Sequence, residues 1–348
     1  MAAPELRIKN RACYFRKSIS TPSLSSERVL ARDAFEFALL WLKRHCKEAV
    51  PYWEQARAYY QASGHLPAES SPLTSYYCFL NAVKALLIVK GQKFSDRHGV
   101  SGDFESSKRA LVNEQINFQG GGVIAALSRY LKEAETENVC NLKDVLSNLP
   151  FIHRAFRHTF TSHSELFIPV RNVVYRKHPD ANYVWLSADV DGRFADGRAM
   201  RTLPDGLERD GGYDDRCVVR TKRRVRWHGH GADDDEKRRA LARLKTFHRK
   251  CRRDFTYISA SPDLWYIKRS ISGAKSIKRY NLTLIIAAMH RLSELSRYDP
   301  KGLKLYLEGK DNWLLTEFIE LSPIQFVDEL VCEMTSLEFS VPGVRPRG

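Results

Sequence analysis

One segment constrains the fold of this chain more than any other, the long apolar run that begins at Ser71 and Pro72. Serine is a favoured N-cap residue, and proline is tolerated at the first helical position because its missing N–H would be unpaired there anyway. The residues that follow, 73–90, form the most apolar helical pattern in the sequence, and Gly91 supplies a C-terminal stop. The run therefore predicts a long helix with a mainly apolar surface.

Helical periodicity also dominates the chain on both sides of that segment. Asp33 is a candidate N-cap for a helix through Cys46, and Pro51 marks the start of a second helix that stops near Gly64. A serine followed by a proline, Ser261-Pro262, opens another helix. Further helical patterns cover residues 123–134, 142–156, 233–255, 277–297 and 322–335.

Between the helical blocks the hydrophobic pattern changes to a period of two. Residues 166–175, 183–190 and 217–227 alternate in the manner of strands, and Asp191-Gly192 is a typical hairpin turn. Three strands between long helical blocks predict a small antiparallel insertion and not an α/β sheet.

These patterns together predict a mainly α protein, with two helical halves and a small antiparallel β insertion between them. The predicted organisation is a basic N-terminal arm (1–32), an N-terminal helical domain (33–165), a β insertion with a Gly/Asp-rich loop (166–232), a C-terminal helical domain (233–340) and a tail (341–348).

Composition limits the class of protein and the kind of partner. Of 348 residues 43% are hydrophobic, enough for a real core, and the net charge of +15 favours anionic partners. Seven scattered cysteines without a C-x-x-C pair indicate a reducing compartment and no zinc site. No uninterrupted apolar run approaches the roughly 18 residues that a bilayer span requires, so we expect a cytoplasmic protein; a transit peptide is the alternative reading of the basic N-terminus. No cofactor pattern is present, and the oligomeric state is not predicted.

Three segments carry a resemblance to a known family. They are PLTSYYCFLNAVKALL (72–87) followed by His98-Gly99, then NLKDVLSNLP (141–150), then LSELSRYDP (292–300). In this order they resemble the bacterial YaaC-like protein family, from about Ala34 to Phe339. The resemblance implies a mostly helical cytoplasmic protein and brings no established activity with it.

The first of these segments also resembles a HEPN-type helical hairpin, over about residues 35–165. This second resemblance implies a helical bundle of a kind found in RNA-cutting toxins, phage-defence effectors and nucleotide-binding partners. Where HEPN proteins are ribonucleases, their functional residues are an Arg and, after four to six further residues, a His.

Several Arg–His pairs have this spacing because the chain is rich in arginine, and Arg157 with His163 fits best. A polar residue follows Arg157, and the Thr and Ser residues before His163 could end the helix so that the imidazole folds back. The resemblance then implies metal-independent RNA cleavage, with His163 as general acid or base and Arg157 steadying the phosphate. The alternative is a basic helix end without a catalytic role.

A second candidate site is a polar stripe on the apolar helix. Three of its residues are spaced i, i+4 and i+7 and so share one helix face, and the others come from the following loop and from the distant 292–300 segment. The predicted anion or nucleotide pocket consists of Tyr77, Asn81, Lys84, His98, Arg297 and Tyr298. The alternative is a polar seam between packed helices.

Two stretches concentrate the positive charge. Residues 237–253 contain nine Lys or Arg and no acid, and residues 220–226 contain five more. Such density is typical of surfaces that bind phosphate backbones, although charge runs are often plain solvated faces. The predicted nucleic-acid-binding residues are Arg220, Lys222, Arg223, Arg224, Arg226, Lys237, Arg238, Arg239, Lys245, Arg249 and Arg252.

From these observations we expect a nucleic-acid-associated helical protein that binds RNA rather than DNA. It would act as an effector or accessory of bacterial defence, with a partner protein from the same operon, and it could cleave RNA without a metal. The alternative is a non-catalytic module that binds a nucleotide or a partner protein through the Tyr77, Asn81 and Lys84 stripe.

Overall fold

A computed structural model describes residues 3–105, 108–133, 138–260 and 262–341. The helices are α1 (Ala34–His45), α2 (Val50–Ser63), α3 (Ser71–Val89), α4 (Val123–Leu131), α5 (Leu142–Ser147), α6 (His153–Thr159), α7 (Gly197–Met200), α8 (Asp234–Cys251), α9 (Asn281–Tyr298), α10 (Pro300–Glu308) and α11 (Asn312–Thr335). The strands are β1 (Arg7–Ile8), β2 (Arg11–Ala12), β3 (Val29–Leu30), β4 (Val100–Phe104), β5 (Glu114–Phe118), β6 (Val139–Asn141), β7 (Phe167–Lys177), β8 (Tyr183–Val190), β9 (Leu207–Arg209), β10 (Val218–Thr221), β11 (Val225–Arg226), β12 (Phe255–Ile258), β13 (Leu264–Lys268) and β14 (Phe339–Ser340).

The chain divides into two compact units, each assembled from separate stretches of sequence. The sheet unit comprises Met1–Val29, Glu165–Ala274 and Ser336–Glu338. The helical unit comprises Leu30–Ser164, Lys275–Thr335 and Phe339–Gly348.

The sheet unit is built on a seven-stranded antiparallel sheet in the order β12-β13-β7-β8-β10-β9, with β11 also paired to β8. β7 and β8 are its longest strands, and their register shifts between Arg171 and Val174. Asn172 occupies the left-handed region there (φ 50°), and its side-chain amide donates to Asp189 at 2.7 Å. Such a bulge increases local twist, which agrees with the curled, half-barrel form of the sheet.

Helix α8 and the N-terminal segment contribute to the core of the sheet unit. The Asp233 carboxylate caps α8 by accepting from the Glu236 N–H at 2.6 Å, and the apolar face of α8 buries Leu244 and Phe247. Leu6, Cys13 and Phe15 of the N-terminal segment belong to the same core cluster. The first residues of the chain therefore pack with β7, where Leu6 N–H donates to the Tyr175 carbonyl at 2.7 Å.

The predicted mainly α fold with a small β insertion is wrong. Helices take up 46% and strands 18% of the structure, and β12 and β13 extend the sheet beyond residues 166–232. The helix predicted from Ser261-Pro262 is replaced by strand β13; Ser261 itself lies outside the described residues. β12 and β13 are short runs rich in aromatic and β-branched residues, which suit a strand once a partner is present.

The predicted HEPN-like helical bundle over residues 33–165 is wrong as well. This stretch contains the three-stranded antiparallel sheet β4-β5-β6, which alternates with α4 and α5. The strands have three to five residues each, too short for a clear period-two signal. The tail is described as far as Val341, and residues 342–348 lie outside the described part of the chain.

Helix α3 is the central element of the helical unit. It packs against α2, α4, α9 and α11, and most of its side chains are buried. Among the described helices, α3 alone is long and apolar enough to cross a membrane, yet 67% of its apolar window is buried inside the structure. This burial is how the core helix of a folded domain packs, so the helix gives weak evidence for a membrane span.

Candidate anion-binding site

Packing of α3 against α9 brings together two segments that are about 200 residues apart in the sequence. The Tyr76 ring of α3 meets the His290 ring of α9 edge to face, with centroids 4.8 Å apart. The His98 ring lies 5.3 Å from the Tyr76 ring and 5.6 Å from the His290 ring. These three rings form the centre of the candidate site.

The His98 loop is held by the start of α4. The backbone N–H groups of Val123 and Ile124 donate to the carbonyls of Arg97 and His98 at 2.9 and 3.1 Å. Gly122, just before α4, has φ 102°, and a Cβ there would lie 2.6 Å from the Arg97 carbonyl oxygen. Glycine at position 122 thus permits the close approach that fixes His98.

A hydrogen bond joins Tyr76 to His98. The Tyr76 hydroxyl lies 2.6 Å from Nδ1 of His98, and burial raises the pKa of Tyr76, so the phenol keeps its proton. A protonated phenol can donate to an unprotonated Nδ1 or accept from a protonated one, so this hydrogen bond forms with either tautomer of neutral His98. Nε2 is the ring nitrogen of His98 that has no hydrogen-bond partner among the described residues.

Two positive charges from different elements act on His98. Its pKa is lowered from the usual value, first by burial and then by the charges of Lys84 on α3 and Arg297 on α9, while Glu294 opposes the shift. The imidazole is therefore neutral near pH 7. Because Lys84, His98 and Arg297 come from three separate elements, their convergence is a tertiary feature.

Arg297 is exposed to solvent, whereas the Lys84 side chain is only 15% exposed. Lys84 Nζ lies 3.3 Å from Asp96, whose side chain is 92% exposed and so screens the charge weakly. The Arg297 guanidinium lies over the Tyr298 ring at 4.8 Å and makes no ion pair with a described carboxylate. The Lys84 charge thus has one exposed carboxylate as its partner, and the Arg297 charge has none among the described residues.

A buried ionic network fixes α9 beneath these groups. Arg291 donates to Glu114 Oε2 from Nη2 at 2.6 Å and from Nε at 3.0 Å, and the Tyr306 hydroxyl donates to Glu114 Oε1 at 2.7 Å. Arg291 Nη1 also donates to Glu294 at 3.0 Å, and Glu294 accepts from the Gly102 N–H at 3.1 Å. The buried charges are paired and hydrogen-bonded, as buried charges must be.

His290 lies within this network as a neutral ring. It is 7% exposed, and its Nδ1 is buried without a hydrogen-bond partner among the described residues. Burial, followed by the charges of His98, Arg291 and Arg297, lowers its pKa to about 3. The nearest carboxylate oxygen, from Glu294, is 3.8 Å away from Nδ1.

Of the predicted pocket residues, Lys84 and Arg297 both act electrostatically on His98. Tyr77 stacks on Tyr59 with ring centroids 5.5 Å apart, and the Asn81 amide donates to the Tyr77 carbonyl at 2.9 Å. Tyr298 is 72% exposed.

Sequence reasoning missed Tyr76, His290 and Glu294, which lie at the centre of the site. His290, Glu294 and Arg297 are spaced i, i+4 and i+7 and so share one helix face. This spacing is the sequence signal by which His290 and Glu294 could have been identified.

Arg157 and His163 also lie near one another, within the helical unit. Burial lowers the pKa of His163 first, and the charges of Lys143 and Arg157 lower it further, while Asp144 and a hydrogen bond with the Phe160 backbone oppose the shift. Arg157 Nε and His163 Nδ1 are buried without a hydrogen-bond partner among the described residues. Their catalytic role stays a prediction.

The basic side chains of the sheet unit are mostly on its surface. Arg220 is paired with Glu208 at 2.9 Å, and Lys237 and Arg238 are paired with acids of the first turn of α8. Lys245 and Arg249 are partly exposed. Five further predicted nucleic-acid contacts are exposed, namely Lys222, Arg223, Arg224, Arg226 and Arg239.

Arg252 does not belong on that surface. It is 3% exposed, and its guanidinium donates to the carbonyls of Lys17 at 3.1 Å and Phe255 at 2.6 Å. It also lies over the rings of Tyr257 and Trp265. The physical role of Arg252 is therefore to join the end of α8 to its surroundings, which removes it from the predicted nucleic-acid contacts.

The described residues contain no metal cluster, and they enclose a further cavity outside the His98 cluster. No group of three His, Cys, Asp or Glu side chains there could hold a metal ion, and none of the seven cysteines, all within the described residues, forms a disulfide. A half-open cavity of about 500 Å³ in the helical unit is lined mainly by apolar groups, among them Leu66, Ile319 and Ile324. It does not include the His98 cluster.

Comparison with known proteins identifies the family. No curated protein and no solved structure matches the chain, and the HEPN-type resemblance receives no support. The family model described as YaaC-like Protein matches residues 12–334, a range that includes Tyr76, His98 and α9. The chain therefore belongs to the YaaC-like protein family.

Proposed function

We propose that the helical unit binds a phosphate-bearing small molecule of the nucleotide class at Lys84, His98 and Arg297. The observation that carries this proposal is a His98 ring, hydrogen-bonded to Tyr76 at 2.6 Å, on which the positive charges of Lys84 from α3 and Arg297 from α9 both act. Bringing like charges together is unfavourable unless an anion compensates, and such arrangements concentrate at functional sites.

The donor set favours phosphate over a single carboxylate. Arg297 presents a planar fork of N–H groups and Lys84 a point charge, and His98 supplies an Nε2–H in the tautomer that accepts from Tyr76, so three donors of different geometry are available to the ligand. The exposed Tyr298 ring and the half-buried Tyr77 ring offer flat apolar surfaces for a nucleobase. These aromatic neighbours favour a nucleotide over inorganic phosphate.

Calorimetric titration of the full chain with ATP tests the proposal. Lys84→Ala and Arg297→Ala should each weaken binding by about tenfold or more, because each removes a charge-assisted hydrogen bond. Lys301→Ala, which removes an exposed lysine from α10, is the matched control and should bind as the wild type does. Absence of ATP binding by the wild type, or an equal loss in the control, would overturn the proposal.

One observation favours a second function, association with RNA through the sheet unit. Arg243 Nε donates to the Arg226 carbonyl at 3.2 Å, which ties β11 to α8. Arg239, one turn before Arg243, is exposed, as are Arg224 and Arg226. This group of exposed arginines fits contact with a phosphate backbone, which is independent of base sequence and sensitive to salt.

Fluorescence anisotropy with a single-stranded RNA tests this second function. Arg239→Glu combined with Arg243→Glu should weaken binding and flatten the dependence of affinity on salt concentration. Lys301→Glu, with the charge reversed on the helical unit, is the control. Salt-insensitive binding would contradict the proposed interface.

The expected cytoplasmic location, the role in bacterial defence and the operon partner stay predictions.

A further inference from the structure

A second group of positive side chains surrounds the Phe160 ring in the helical unit. Lys143 Nζ lies 4.4 Å from the ring centroid and Lys310 Nζ lies 5.8 Å from it. Lys143 belongs to α5 and Lys310 to the turn between α10 and α11. Neither lysine forms an ion pair with a described carboxylate, so an aromatic ring is their shared neighbour.

Arg157 and His163 complete this group from the end of α6. The backbone N–H of His163 donates to the Phe160 carbonyl at 3.0 Å. This turn places the centroid of the imidazole 5.7 Å from the centroid of the Phe160 ring. Arg157 Nε and His163 Nδ1 are both buried and unpartnered among the described residues. Buried polar atoms are normally hydrogen-bonded, so two unpartnered nitrogens in one place indicate a group that the site is shaped to receive.

Asp311 adds an unpartnered acid to the same place. Its side chain belongs to a residue 5% exposed, and Oδ1 is buried without a hydrogen-bond partner among the described residues. Burial raises the pKa of Asp311, while the charges of Lys310 and Lys143 lower it. Lys143 acts on both Asp311 and His163, which places both groups within reach of the same ammonium.

The charges of this group leave an excess of positive charge. Lys143, Arg157 and Lys310 supply three cationic groups against the carboxylate of Asp311. Asp144, the other nearby acid, is engaged elsewhere: it accepts from Asn141 at 2.8 Å and faces Lys275 at 3.9 Å.

We propose that Lys143, Arg157, His163 and Lys310 form a second oxyanion site, the Phe160 cluster, which takes a phosphate group. The two lysines are held by the ring and not by carboxylates, so both ammonium groups are available to one anion. The Arg157 Nε–H supplies a further donor to the oxyanion. The phosphate could come from the free ion or from a phosphodiester.

The experiment uses the full chain carrying Lys84→Ala and Arg297→Ala, which silences the proposed nucleotide site. Binding of inorganic phosphate and of the dinucleotide ApA is measured by calorimetry in this background. Binding of phosphate alone assigns the free ion as the ligand, and binding of ApA alone assigns a phosphodiester. Lys143→Ala with Lys310→Ala should then weaken the observed binding by tenfold or more.

Two controls keep the result interpretable. Arg154→Ala removes an exposed cation from α6, one turn before Arg157, and should leave binding unchanged. Lys143→Arg with Lys310→Arg keeps both charges and should retain binding, which separates charge from folding. Failure of both probes to bind, or binding that survives the alanine pair, would overturn the proposal. Because the two sites share no residue, failure of one leaves the other standing.

Discussion

At the scale of single residues, neutral buried histidines are a recurrent feature of this protein. In the sheet unit, His248 Nε2 lies 2.7 Å from the Ser18 carbonyl and Nδ1 lies 2.9 Å from the Tyr175 hydroxyl. A carbonyl can only accept, so Nε2 carries the proton and Nδ1 accepts from Tyr175. The neutral imidazole satisfies both partners, and burial lowers the pKa of His248 to about 3.

This arrangement predicts a loss of stability in acid. The folded-state pKa values of His248 and His290 are about 3, below the ordinary value of 6.5, so the unfolded chain binds protons first as the pH falls. The stabilisation is complete above pH 6.5 and is lost as the pH decreases toward 3. Urea unfolding at pH 7, 5 and 4 measures this loss of stability. The free energy of unfolding of the His248→Gln variant should depend less on pH than that of the wild type. Equal pH dependence would contradict the account.

The Tyr76 hydroxyl supports a second residue-scale prediction. Tyr76→Phe keeps the ring that packs on His290 but removes the hydrogen bond to His98, which should cost about 1 kcal/mol of unfolding free energy. Without that hydrogen bond the His98 imidazole is no longer held in one orientation, and ATP binding should therefore weaken several-fold. Tyr77→Phe is the matched control, because the Tyr77 hydroxyl makes no hydrogen bond with a described residue. Urea unfolding and calorimetry measure the two effects, and equal losses in both variants would refute the assigned role.

At the scale of elements, the sequence pattern indicated some features of this fold and missed others. The proline start and glycine stop around α3 are local signals, and the alternation in β8 is a local signal too. β12 and β13 become strands through pairing with each other and with β7, which no local pattern records.

The same limit applies to the candidate site. Lys84, His98 and Arg297 could be named from sequence because two segments carried a family resemblance. The ion pair between Glu114 and Arg291 joins residues 177 positions apart, and nothing in the sequence around Glu114 indicates that the side chain is buried.

The contact between β4 and α9 yields an element-scale prediction. A Cβ at Gly102 would lie 1.9 Å from Glu294 Oε2 and 2.4 Å from Arg291 Nη1. Gly102→Ala should therefore displace the buried ionic network and lower the free energy of unfolding by roughly 1–3 kcal/mol, as overpacking does. Gly120→Ala is the control, since a Cβ there meets nothing within 4 Å. Urea unfolding measures both, and an unperturbed Gly102→Ala variant would contradict the packing described.

At the scale of the whole molecule, the positive side chains behind the net charge of +15 fall into several groups at different places in the structure. Part of it lies on paired surface residues such as Arg220, and part on exposed arginines of α8 and β11. In the helical unit, Lys84 and Arg297 act on one imidazole, and Lys143 and Lys310 share one aromatic ring. The overall charge predicted an anionic partner, and these groups are the places where we propose that such a partner binds.

The most direct test of the nucleotide proposal is a histidine NMR titration of the full chain with and without ATP. In the free protein, the pKa of His98 should be below its usual value, because burial and the charges of Lys84 and Arg297 disfavour the imidazolium. A bound phosphate offsets those charges, so ATP should raise the pKa of His98. An unchanged pKa of His98 at saturating ATP would contradict the account, because it would place the nucleotide away from this imidazole.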